Sequence, residues 1–249
     1  VPGNSYAVLN PPNSYPAAVG SGNLRIVSSG ANWYSSAGSI SAISGKWYWE
    51  VTPSAAGATG FMIGIAAPAQ SFIPAGAFPG SASIGLGYYS ATGTKYNNGS
   101  PTAYGATYTS NDVIGVALDM DAGTLTFYKN NVSQGVAAST LVGEYLPAIS
   151  VYDSGETLDA NFGQRPFAYA PPTGYKALCQ RNMPDPAILN PKKHFDVLLH
   201  SGNSSTQNVT GVDFAPDLAW IKSRNTNYWN FLYDSIRGAT KALVSNSTN

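Results

Sequence analysis

Apolar and polar side chains alternate strictly through Lys46-Trp47-Tyr48-Trp49-Glu50-Val51-Thr52, with Trp47, Trp49 and Val51 on one face and Lys46, Tyr48 and Glu50 on the other. A period of two predicts a half-buried β-strand with an aromatic core face. Residues 61–66 (FMIGIA) and Ile84-Gly85-Leu86-Gly87-Tyr88-Tyr89 predict interior strands whose glycines admit a neighbouring backbone or a large ring at close range. Residues 112–119 and 124–129 flank Met120-Asp121-Ala122-Gly123 and predict a hairpin, and Asn130-Asn131 predicts a second turn. Residues 145–151 and 157–162 predict the strands that close the sheet. Short strands with frequent turn signals make the expected fold class all-β, an antiparallel β-sandwich.

Beyond Pro171-Pro172-Thr173-Gly174 the pattern changes, and Pro184, Pro186 and Pro191 punctuate the stretch after it. The expected division is a sandwich over 1–176, a Pro-rich linker over 177–193 and a second small β-rich module over 194–249. In that module 194–200, 218–224 and 228–234 read as strands, and 235–244 as the one stretch able to form a helical turn. So short a module is marginal as an independent core, and its last strands are expected to be missing.

Composition sharpens this picture. Charged residues make up 10% of the chain, and 13 basic side chains balance 13 acidic ones. No long-range field draws in nucleic acid or an anionic membrane, so neither is an expected partner. The single cysteine, Cys179, excludes an intramolecular disulfide, and stability must come from packing. No apolar run approaches the length of a spanning helix. The opening Val1-Pro2-Gly3 reads as a segment of something longer or processed.

Three segments carry a family resemblance: Ser44-Gly45-Lys46-Trp47-Tyr48-Trp49-Glu50-Val51; the run from Asp112 to Gly135; and residues 145–150 together with Asn161-Phe162-Gly163-Gln164-Arg165-Pro166-Phe167. In order and spacing, residues 44–170 resemble the SPRY (B30.2-like) family, although Asn130-Asn131 stands where that pattern usually has Asn-Gly. Leu9-Asn10-Pro11 and Gly22-Asn23-Leu24 look like the lead-in of viral versions. Residues 194–249 are similar to a module of phage structural proteins, through residues 214–222 (FAPDLAWIK) and 234–243 (DSIRGATKAL). The pairing implies a bacteriophage virion protein, located on the particle surface as part of a fibre, tail appendage or head decoration. Its implied partners are other virion proteins and a host-surface protein or glycan, and a homo-oligomer is the implied assembly.

No arrangement of residues points to catalysis, and the expectation is a non-enzymatic protein without cofactor or metal. The alternative is a polysaccharide-degrading tail-spike domain, which needs two carboxylates about 5–9.5 Å apart over a sugar site. Asp119 and Asp121 are the closest acidic pair, but they flank a hairpin turn and read as turn caps. Glu50 reads as paired or solvated. His194 and His200, the only histidines, would lie about 20 Å apart on a strand at about 3.3 Å per residue, too far to share a metal. Cys179 reads as an inert small residue, and the glycines near Gly85 lack the helix and Lys-Ser/Thr of a phosphate loop.

Recognition by loops remains. In the SPRY family the partner surface is formed by loops at one edge of the sandwich, and the resemblance points to 53–60, 67–83 and 90–111. Tyr88, Tyr89, Tyr96, Tyr104 and Tyr108 stand among Gly and Asn, as rigid rings stand among adaptable polar groups in a paratope. They can equally complete an outer sheet face. Tyr96, Tyr104 and Tyr108 are the candidate anchors, followed by Phe72 and Phe78.

Overall fold

Trp47 and Trp49 are 2% and 0% exposed between two antiparallel sheets, where the alternation put them. A computed structural model describes residues 5–14, 18–55, 57, 59–72, 76–83, 85–185 and 187–247; the expected opening Val1-Pro2-Gly3 and strand residue Ile84 lie outside them. The chain divides into a unit over Val1–Met183 and a unit over Pro184–Asn249.

In the first unit one sheet runs, in spatial order, β1 (Leu9–Ser14), β4 (Tyr34–Gly38), β13 (Leu146–Val151), β6 (Phe61–Ala66), β7 (Gly85–Tyr89), β8 (Thr94–Asn97) and β9 (Ser100–Ala103). The other runs β12 (Val132–Ala138), β11 (Thr124–Lys129), β10 (Ile114–Asp119), β5 (Lys46–Ala55), β14 (Thr157–Asn161), β3 (Arg25–Val27) and β2 (Ala18–Gly20). Ile63, Ile65, Leu86, Tyr88, Ile149 and Val151 of the first sheet meet Trp47, Trp49, Val51, Ile114, Val116 and Leu118 of the second. Each fully buried side chain of this kind contributes about 1.5–3 kcal/mol of transfer free energy. The expected hairpin pairs Ile114 with Lys129 and Asp119 with Thr124. Asn130 and Asn131 turn the chain next, both at positive φ.

The other face of β5, expected to be half-solvated, is covered. Tyr48 and Glu50 are 2% and 3% exposed because the chain after β14 folds back over them. Phe167 packs edge-on to the Tyr48 ring at 5.0 Å, and the N–H groups of Ala168 and Tyr169 donate to the Glu50 carboxylate at 2.8 and 3.0 Å. Glu50 is therefore a paired structural acid. Next, β15 (Lys176–Ala177) adds to β5 in parallel, Leu178 is buried, and its carbonyl accepts from the Ala7 N–H at 2.9 Å. These attachments extend the sandwich unit to Met183, so residues 177–183, expected in the linker, pack as part of it.

The unit over Pro184–Asn249 holds an antiparallel sheet of β16 (Leu218–Ile221), β17 (Phe231–Asp234) and β18 (Ala242–Val244). Residues 242–244 pair as a strand where a helical turn was the expectation, since Leu243 and Ala242 complete the ladder against Leu232 and Tyr233. Residues 194–200, expected as a strand, have no regular structure. Leu218 and Trp220 remain 59% and 64% exposed, which shows how little core this unit builds by itself.

Candidate functional site

The five candidate anchors separate into two groups. Tyr108 is 4% exposed, and its hydroxyl donates to the Tyr88 carbonyl at 2.7 Å. Burial pushes its phenol well above the usual range. Tyr88 packs against Tyr104, Tyr108 and Phe127 with ring centroids 5.3, 4.9 and 5.2 Å away, and its hydroxyl donates to the Ala106 carbonyl. Tyr104 fills a gap in a ladder: register shifts between β11 and β12 leave Phe127 without a strand partner there. The Tyr104 hydroxyl accepts from the Phe127 N–H at 3.1 Å and donates to the Gly135 carbonyl at 2.6 Å. Lys95 lies 5.7 Å over the same ring and donates to the Ala137 carbonyl at 2.7 Å. The partly exposed Tyr104 and the buried Tyr108 thus hold the 104–108 segment onto the sandwich.

Phe72 is 0% exposed. Of the segment 67–83, expected as a binding loop, the described residues 67–72 and 76–83 lie over the outer face of the first sheet, where Phe72 makes a small second core with Ala37, Ala66 and Ala148. Gly87 makes this approach possible, because a Cβ there would collide with the Pro79 carbonyl and sit 2.7 Å from the Met62 Sδ. The outer face is therefore roofed. Phe72 serves packing, which leaves Phe78 and Tyr96.

These two join Tyr89, which the tyrosine-rich stretch already contained, and two rings that the pattern did not single out, Trp33 and Tyr152. Phe78 lies 5.1 Å from Trp33 and 5.6 Å from Tyr96; Tyr89 lies 5.9 Å from Tyr96 and 6.1 Å from Trp33; Tyr152 lies 5.2 Å from Trp33. All five rings are partly exposed. Strand phase explains the gathering. Tyr88 points into the core, so Tyr89 points out, and Tyr96 sits opposite the side-chain-free Gly87. Tyr34 pairs with Val151, which sets Trp33 and Tyr152 side by side just past the end of that ladder. The available signal for Trp33 and Tyr152 was this continued alternation one residue beyond each strand.

A carboxylate clamp fixes the floor of the cluster. Glu156 is 1% exposed and accepts four N–H groups: Gly57 at 2.9 Å and Gly60 at 3.0 Å on one oxygen, Tyr152 at 2.7 Å and Asp153 at 3.0 Å on the other. Burial nevertheless pushes its carboxyl above the ordinary value. Asp153 accepts from the N–H and hydroxyl of Thr59, whose carbonyl accepts a hydrogen bond from the Tyr89 hydroxyl at 2.6 Å. Gly57, Thr59 and Gly60 are thereby tied to the segment 152–156 beside the rings. Tyr89 is raised by burial first, then by Tyr96, Glu156 and Asp153. Asp119 caps its hairpin turn through the N–H groups of Asp121 and Ala122 at 3.1 and 2.9 Å, while Asp121 accepts from Gly45 at 2.7 Å.

Comparison with known proteins agrees with this architecture. Residues 46–165 match the family model described as SPRY domain, and residues 190–249 match one described as a domain of unknown function (DUF7483). Curated relatives include the Ran-binding proteins 9/10 homolog of Drosophila melanogaster, 35% identical over 126 residues, and Ran-binding protein 9 of Homo sapiens, 34% identical over 131. These alignments cover 50% and 52% of the chain but only 13% and 18% of the relatives, so the chain spans a small part of their length. Among solved structures, the SPRY domain of human HERC1 aligns with a TM-score of 0.55 at 22% identity, over 64% of this chain and 99% of that one. The first unit therefore has the fold of a SPRY sandwich.

Proposed function

We propose that this chain is a non-enzymatic recognition protein whose SPRY sandwich docks a partner protein on the cluster of Trp33, Phe78, Tyr89, Tyr96 and Tyr152. The observation that carries the proposal is the exposure of five mutually packed rings above a locked floor. Rings already held by neighbours lose little entropy on docking, and clustered aromatic residues dominate binding energy at interfaces. The other rings the sequence singled out are occupied with packing, which narrows the surface to this end of the first sheet.

The setting we propose is a virion surface, with other virion proteins or a host-surface protein as partners. Its support is the resemblance of residues 214–222 and 234–243 to a phage module, read from the sequence; the family model that residues 190–249 match is of unknown function, and the animal relatives contribute nothing specific to phage. The docking reading is tested by selecting peptides from a random display library on the wild-type chain and measuring their affinities for variants. Trp33→Ala with Tyr152→Ala should weaken the selected peptides about 30-fold, as loss of about 2 kcal/mol of anchor energy requires. Val142→Ala, at a side chain 83% exposed and outside the cluster, should leave them unchanged. Selected peptides that bind the double variant as tightly as the wild type would overturn the assignment.

A further inference from the structure

We infer that the ring cluster receives a cationic side chain, an arginine or lysine presented by the docking segment of the partner protein. This rests on the cluster being the docking surface and adds the chemistry of the group that enters it.

Charge placement carries the argument. Residues 51–111 contain one charged side chain, Lys95, and it leans away from the cluster onto Tyr104 and the Ala137 carbonyl. The carboxylates elsewhere in the sandwich that carry ion pairs meet a cation of the chain: Asp159 meets Arg25 at 2.7 Å, Asp119 meets Lys46 at 2.9 Å and Asp112 meets Lys129 at 3.2 Å. Asp153 and Glu156, like Glu50, Asp121 and Glu144, carry no ion pair among the described residues, but they alone of these stand beside the ring cluster. Their partners among the described residues are backbone N–H groups and Thr59, and both carboxylates act electrostatically on the Tyr89 hydroxyl at the edge of the cluster.

The rings repeat the asymmetry. Lys46 lies over Tyr175 at 5.9 Å and Lys95 over Tyr104 at 5.7 Å, so the chain supplies its own cations to those two rings. Among the described residues no lysine or arginine lies over Trp33, Phe78, Tyr89, Tyr96 or Tyr152. Aromatic faces carry negative potential, strongest at tryptophan, and a cation over them gains most where water is partly excluded. Five partly exposed rings beside Asp153, whose carboxylate pairs with Thr59 and with no cation among the described residues, thus form a surface of negative potential. Its complement is a positive group with a flat or greasy stem, and the planar guanidinium fits best because it stacks and is weakly hydrated.

The probe is N-acetyl-arginine amide, titrated into the full 15N-labelled chain while the indole N–H resonance of Trp33 is followed. The citrulline analogue, which has nearly the same shape and no charge, is the control. Saturable movement of the Trp33 resonance with arginine, at least fivefold weaker with citrulline or with Asp153→Asn and weakened by added salt, is the expected result. Equal response to arginine and citrulline, or no response to either, overturns the inference. The display selection separates the two readings: peptides that depend on Trp33 yet lack arginine and lysine leave the docking surface standing and refute the cation. Peptides indifferent to Trp33 refute both.

Discussion

Replacing Glu156 with Gln tests whether the floor beneath the rings is held as described. The carboxylate offers two acceptor oxygens to four N–H donors, two on each side, at 2.7–3.0 Å. An amide has one acceptor oxygen, and its NH2 group must face two donors whichever way it turns. Orphaning two buried N–H groups costs about 1–3 kcal/mol each. Removing the charge offsets part of this cost, because burial raises the carboxyl despite its four donors. The expected net loss is about 2–4 kcal/mol, or on the order of 5–15 °C in the unfolding temperature of a unit this size. Thermal unfolding gives the magnitude, and hydrogen exchange gives the place, with faster exchange at Gly57, Gly60, Tyr152 and Asp153. An unchanged unfolding temperature with unchanged protection of those amides would refute the reasoning.

Trp49→Ala should destabilise the sandwich by about 3–5 kcal/mol, since Trp49 is 0% exposed between the sheets, and an equally heat-stable variant would contradict that packing. Tyr104→Phe keeps the ring and removes the hydroxyl that bridges Phe127 and Gly135; a loss of about 2 kcal/mol in chemical denaturation is expected, with selected peptides binding as before. Acid should unfold the sandwich partly through Asp159. Burial would raise this carboxyl, but the hydrogen bonds and charge of Arg25 outweigh burial and hold it below the usual range. The stabilisation is therefore present above about pH 4 and is lost as pH falls through the lowered folded value. Arg25→Gln should move the acid-unfolding midpoint to higher pH, and an unmoved midpoint counts against the pair.

Local pattern carried the sandwich further than it carried the site. The alternation at Trp47 and Trp49, the hairpin around Asp119 and Gly123 and the asparagine turn are written in adjacent residues, and each appears in place. Glu50 is paired, one of the two readings it allowed, but the burial of Tyr48 and Glu50 was not legible because their cover comes from residues 167–169, well over a hundred positions away, and no period in β5 reports it. Phe72 misled for the same reason. Its segment is poor in charge and rich in small residues, which suits a recognition loop and a sheet roof equally, and only the bare Gly87 beneath it favours the roof. Tyr96 and Phe78 were legible as rings, but Trp33 and Tyr152 become neighbours through the β4 and β13 pairing, a register that the sequence does not state.

The central claim, that recognition occurs on the five-ring cluster, is tested most directly by a chemical-shift map of the 15N-labelled chain with a display-selected peptide bound. The largest perturbations should fall on the Trp33 indole and on the amides of Phe78, Tyr89, Tyr96 and Tyr152, with the amides near Tyr104 and Tyr108 unmoved. Perturbations centred on Tyr104 and Tyr108, or on the sheet of residues 218–244, would contradict it.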